Sequence, residues 1–177
     1  MDGEMGDDSR RSKCLLDVLL KLHIEDQVLD EDGVRQEVDT FIMAGHETTE
    51  AAVQWVLYLI GLYPEVQEKI HQELDSVLGA DSKGPLSVGD LNALKYLDCV
   101  LKECYRLYPP SPLFARKISE EISIRVFAEM EVKILVCHIL RNFSLCSLDS
   151  KGQVLPLMKF TLESSQPARI KFRRRQQ

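Results

Sequence analysis

The longest unbroken periodic pattern in the chain constrains its architecture most. From Val34 to Tyr63, residues Val38, Phe41, Ile42, Gly45, Thr48, Ala52, Val56, Leu59, Ile60 and Tyr63 recur at three-to-four spacing. That pattern predicts a single helix of about eight turns, with Asp30 placed to cap its start. Its second half, Trp55 to Tyr63, is apolar on nearly every side and therefore expects protein all round it. In a chain of 177 residues, the expectation is that too few partners exist to surround that stretch.

Shorter helices flank it. Leucines at helical spacing predict an amphipathic helix over Cys14 to His23. Pro64 stops the long helix and can open the next, Glu65 to Leu78, whose stripe is Val66, Ile70, Leu74 and Val77 and whose stop is Gly79. Ser87 with Asp90 three residues on has the form of a capping box for a short helix through Leu94. Tyr96 to Tyr108 carries Leu97, Val100, Leu101, Cys104 and Leu107 on one face and halts at Pro109-Pro110. Leu113 to Ile124 has strand-like stretches, Phe127 to Phe143 reads as helix, and Val154 to Leu162 and Ala168 to Phe172 read as strands joined by a loop. The fold class expected is mainly α with a small C-terminal β component.

The net charge of -6 is concentrated at the start: Met1 to Asp32 holds ten acids against four bases, and the rest balances. Residues 1–13 read as a polar leader, and residues 14–177 as one domain. Basic side chains cluster only at Lys171, Arg173, Arg174 and Arg175 with Phe172 among them, so nothing asks for nucleic acid, and the cluster reads as a solvated tail in preference to a localisation or membrane-surface signal. Five irregularly spaced cysteines read as reduced thiols. No run of about 18 apolar residues is present, so no transmembrane anchor is expected within the chain. His23, His46, His71 and His138 share no ligand spacing and no Cys pair is spaced C-x-x-C, so no metal site is expected.

The chemistry-bearing candidates lie on two helices. Ala44-Gly45-His46-Glu47-Thr48-Thr49 interrupts the long helix, where a glycine costs about 1 kcal/mol relative to alanine. Small residues there would let a flat ligand lie against the backbone, Thr48 could bond a carbonyl one turn back and open the ladder, and Glu47 could relay protons. A packing glycine beside a locally satisfied hydroxyl explains the same residues. Glu103 and Arg106, at i and i+3, read by spacing as an exposed helix pair worth about 0.2–0.5 kcal/mol.

Taken in order, AGHETT, then YPEVQEKIHQELDSVLG, then LKYLDCVLKECYRLYPPSPLFARK resemble the cytochrome P450 haem-thiolate monooxygenases, most closely the family 4 branch that oxidises fatty acids and related lipids. The similarity runs from about Lys13 to Phe172 and corresponds to the C-terminal part of a longer family member. The resemblance implies a partial cytochrome P450 fold, haem as cofactor, an NADPH-dependent P450 reductase as electron donor, a lipid substrate and residence at the endoplasmic reticulum membrane. Without an anchor in this chain, a cytoplasmic or peripheral location is expected. It places Ala44 and Gly45 over the porphyrin and assigns Glu47 and Thr48 the acid and alcohol roles in delivering protons. It makes Glu103 and Arg106 the structural E-x-x-R pair and Arg116 a partner of a haem propionate. Ala44 stands where some family 4 members carry a haem-linked glutamate, so no ester is expected.

One departure outweighs the rest. After Ile118-Ser119-Glu120-Glu121-Ile122-Ser123-Ile124-Arg125 a family member would continue through a meander and a loop whose cysteine thiolate ligates the iron. Here Arg125 is joined directly to Val126-Phe127-Ala128-Glu129-Met130-Glu131. The resemblance therefore implies an internal deletion at about residues 125–126, loss of the proximal ligand, and a truncated or spliced form impaired in catalysis, since thiolate donation drives O–O cleavage in such enzymes. The third partner of the Glu103–Arg106 network would be lost with it, costly if the pair is buried. The reading from a different class is a non-catalytic helical protein that uses surplus apolar faces to bind a partner or a lipid surface.

Overall fold

The computed structural model describes residues 14–79, 84–113 and 128–175. The strand-like reading of Leu113 to Ile124 falls almost wholly outside them, as do Arg116, the leader and the Arg125–Val126 junction. The chain divides into two compact units, residues 1–44 and 45–177.

In the first unit, α1 (Leu15–Ile24) begins with Asp17 accepting the Cys14 N–H at 3.1 Å. A turn with Gln27 at φ 53 leads to Asp30, whose Oδ1 accepts the Gly33 N–H at 2.7 Å and caps α2 (Glu31–Leu62). His23 Nδ1 and the Leu29 carbonyl meet across the turn at 2.8 Å. Within α1 only Leu19 is buried, and Leu16, Ile24, Phe41, Ile42 and Met43 are exposed.

The second unit holds the core. It contains the rest of α2, then α3 (Pro64–Leu78), α4 (Val88–Ala93), α5 (Lys95–Leu107) and α6 (Ala128–Asn142), followed by β1 (Phe143–Ser147), β2 (Pro156–Met158), β3 (Leu162–Ser164) and β4 (Ile170–Arg174). Pro64 opens α3 and Gly79, at φ 79, closes it, as expected from a fixed φ at the start and a left-handed residue at the end. The Ser87–Asp90 capping box starts α4. A cap the sequence did not advertise starts α5: the Glu73 carboxylate on α3 accepts the Tyr96 and Leu97 N–H groups at 2.7 and 2.9 Å, meeting the positive end of the helix dipole. At the other end of α4, buried Lys133 of α6 donates to the Leu91 and Leu94 carbonyls and pairs with Asp98.

The expectation that Trp55 to Tyr63 would lack partners is corrected. Trp55, Val56, Tyr58 and Ile60 are at most 1% exposed. The chain's own C-terminal half supplies the enclosure: Trp55 stacks on Tyr108 at 4.1 Å and donates Nε1–H to the Leu162 carbonyl at 2.7 Å, and Tyr58 donates its hydroxyl to the Ser150 carbonyl at 3.1 Å. The exposed apolar residues of α2 are instead Phe41 to Met43, half a helix away.

The C-terminal strands also pair differently from the reading above. Val154 to Leu162 contains most of a hairpin, β2 with β3, and not one strand. The segment Ala168 to Phe172 contributes to β4, whose antiparallel partner is β1, a strand hidden in sequence because it follows α6 without a break. The basic cluster is no free tail, although most of it is solvated: Lys171, Arg173 and Arg174 lie on β4 with exposed side chains, and Arg175 is 17% exposed and bonded to Asp75 at 2.6 Å.

Candidate functional site

The sequence-predicted residues fall at three places. Ala44, the last residue of the first unit, and Gly45, the first of the second, are both exposed on α2. A Cβ built at Gly45 meets nothing within 4 Å, so the backbone there is open to a flat ligand. Glu47 is exposed and Thr48 half-buried, and being consecutive on a helix they point about 100° apart. Glu47 lines a cavity of about 310 Å³ between α2 and the β2–β3 hairpin, with His46, Glu50, Gln54, Thr161 and Glu163. Thr48 does not line it. Its neighbour Thr49 donates to Glu131 of α6 at 3.3 Å.

Glu103 and Arg106 form a bidentate pair at 2.7 and 2.7 Å on α5, with side chains 56% and 67% exposed. The guanidinium beside it holds the Glu103 carboxyl below the usual carboxylate range and is itself raised by the carboxylate. The cost of an unpaired buried charge does not arise, because water reaches both groups. Beside this pair lies an almost wholly apolar cleft of about 290 Å³ between α2, α3 and α5, floored by Leu59, Ile60, Val100 and Leu107 and edged by Cys99. Sequence reasoning missed this cleft, since its walls come from three helices whose apolar stripes show only that each faces something. It also missed Gln67 and His71 of α3, which are buried although polar. The signal available was their i, i+4 spacing beside the Val66–Ile70–Leu74 stripe.

All five cysteines are among the described residues. Cys104 and Cys137 are buried, and burial pushes both thiols up to about 12, as expected of small core residues. Cys99 on α5 and Cys146 on β1 are exposed, and Cys14 caps α1. None stands in a loop that presents sulfur to a ligand plane. Among the described residues no group of His, Cys, Asp and Glu forms a metal cluster, and no helix is long and apolar enough to cross a membrane.

A family profile described as Cytochrome P450 matches residues 3–126. The chain belongs to the cytochrome P450 family. Cytochrome P450 4V2 of Mus musculus is 49% identical over 115 residues, covering 64% of this chain and 22% of its own length. Probable cytochrome P450 4d20 of Drosophila melanogaster is 46% identical over 123 residues, covering 70% of this chain and 24% of its own length. This P450 chain thus spans less than a quarter of these relatives. A crystal structure of a cytochrome P450 superposes with a TM-score of 0.78 over 97% of this chain and 52% of its own, at 18% identity. That likeness shows the fold, and it extends past residue 126 through the helix and strands beyond.

The thiols of this P450 chain do not form a donor set for haem. Gly45 offers an open helix face, but the buried thiols are held protonated and the exposed ones sit on a helix, a strand and a helix cap. The residues present do not supply a proximal thiolate.

Proposed function

We propose that this chain is a cytochrome P450 monooxygenase polypeptide by lineage, of the fatty acid or lipid-hydroxylating branch, in a truncated or spliced form that lacks the thiolate ligand and does not catalyse monooxygenation alone. The observation that carries the reading is the placement of the five cysteines, two of them buried in the core and none in a ligand loop. The end of the family match at residue 126 supports an internal deletion at about residues 125–126, with residues 14–177 as a partial domain behind a polar leader. The apolar cleft beside the exposed Glu103–Arg106 pair supports it too, since a surface left by a lost segment would look like this.

In this reading Glu47 and Thr48 are the acid and alcohol inherited from an oxygen-side proton path, Ala44 and Gly45 the close-approach surface, and Arg116 the propionate partner. Glu103 and Arg106 are the structural pair. Haem, a P450 reductase, a lipid substrate and the endoplasmic reticulum membrane belong to the full-length relatives' activity. The test is a reduced, CO-bound spectrum of the purified chain after incubation with haem. No thiolate-type Soret band is expected, and such a band would overturn the reading.

The exposed Phe41, Ile42 and Met43, with Leu16 and Ile24 of α1, favour a second reading as a helical interaction or lipid-surface-binding protein. The first unit, not Trp55 to Tyr63, would carry the surface. A monodisperse monomer that neither binds an apolar dye nor cosediments with vesicles would remove it.

A further inference from the structure

Three polar residues of α3, one helical turn apart, reach the same pair of strands. Gln67, 5% exposed, donates its amide to the Leu145 carbonyl at 2.9 Å and accepts the Leu145 N–H at 2.5 Å, imitating a ladder partner for β1. His71, also 5% exposed, faces the backbone of Phe143 two residues earlier on the same strand. Asp75 holds Arg175 at the end of β4 at 2.6 Å. Residues i, i+4 and i+8 share a helix face, so the three form a row along which the β1–β4 ribbon is fastened.

The middle member differs from its neighbours: His71 Nε2 is buried with no hydrogen-bond partner among the described residues. The neutral ring tolerates this, since its unprotonated nitrogen brings no N–H that must find an acceptor. A protonated ring would carry a second N–H and a full charge into a space without an acceptor.

The groups facing it are Arg175, just past β4, and Glu68 and Asp75 from its own helix. β1 presents backbone there and no charged side chain. On α6, Lys133 is engaged with α4 and Asp98, Arg141 bonds the Gly84 carbonyl, Glu131 accepts from Thr49 and His138 is exposed.

We propose that His71 is the titratable rung of a three-rung polar clasp fastening the β1–β4 ribbon to α3, and that mild acid releases the ribbon by protonating it. Burial, then Arg175, holds the folded imidazole below its ordinary value of 6.5. A base with a lowered folded value binds its proton more readily in the open state, so the closed clasp loses ground as pH falls below about 6.5, until the folded value is passed.

Amide hydrogen exchange across β1 and β4 between pH 7.5 and 5, corrected for intrinsic rates, tests this. One proton taken up on opening lowers wild-type ribbon protection by up to about tenfold per pH unit below about 6.5. His71→Gln is expected to flatten that dependence, and Asp75→Asn to leave it in place. Wild-type protection that does not change over the range, an unchanged step in His71→Gln, or a step abolished by Asp75→Asn would each overturn the proposal. Should His71→Gln fail to fold, the wild-type imidazole titration followed by NMR decides. A value below 6.5 that tracks ribbon opening supports the clasp, and a value at or above 6.5 refutes it.

Discussion

Two glycines on α2 are predicted to respond to the same substitution with opposite signs. At Gly61 an alanine Cβ would stand 2.8 Å from the Ser147 nitrogen, 3.4 Å from the Cys146 carbonyl carbon and 3.5 Å from the Ser147 Cα. Ordinary heavy-atom contact needs about 3.5 Å, so roughly 0.7 Å of separation must be found. The obstacle is backbone of β1, tied to Gln67 on one side and to β4 on the other, and cannot swing away as a side-chain end would. Overpacking of this kind costs roughly 1–3 kcal/mol, against a helix-propensity gain of about 1 kcal/mol. The net expectation for Gly61→Ala is thus a loss of up to about 2 kcal/mol, or a fall in Tm of up to roughly 8 °C at this chain length. At Gly45 the added methyl meets nothing, so only the propensity gain remains and Tm should rise by about 2–4 °C. Thermal melts followed by helical circular dichroism and by the fluorescence of Trp55, the sole tryptophan, measure both. If Gly61→Ala stabilises the protein as Gly45→Ala does, β1 does not pack against α2 as described.

Lys133→Met should destabilise by roughly 2–4 kcal/mol in a denaturant titration, since it strands two carbonyls and a carboxylate, with the loss moderated by water at Asp98. Asp149 is buried and is bonded by Arg169 through Nε, a terminal nitrogen and the backbone N–H, which hold its carboxyl below the usual range. Its contribution is therefore complete above the ordinary carboxylate value of about 4 and is lost as pH falls through the lower folded value. Urea midpoints between pH 5 and 2.5 should fall more steeply for wild type than for Asp149→Asn. A thiol reagent at pH 8 should modify Cys14, Cys99 and Cys146 rapidly, and Cys104 and Cys137 only after unfolding, because the buried pair, with values pushed up to about 12, stays protonated. Rapid modification of all five in native protein would contradict the core.

Local signals carried far in this chain. Helix limits were legible because their determinants are adjacent residues: Asp30 before α2, Pro64 before α3, Gly79 after it, and the Ser87–Asp90 box before α4. The Glu103–Arg106 pair was legible because i, i+3 spacing suffices to bring the two side chains together. β1 was not, since a strand that continues a helix without a turn shows no boundary, and its pairing with β4 spans more than twenty residues.

What the sequence alone determined, then, is the helical class and the family, each a matter of residue identity and short-range order. The tertiary structure decided which apolar surface is left over. Periodicity says that Trp55 and Phe41 each sit on an apolar face, yet only the return of Tyr108, Ser150 and Leu162 against α2 buries the first while the second stays in water. Burial depends on what arrives from elsewhere in the chain, and so it also decided that a histidine one turn from a glutamine would face backbone without an acceptor for its second nitrogen.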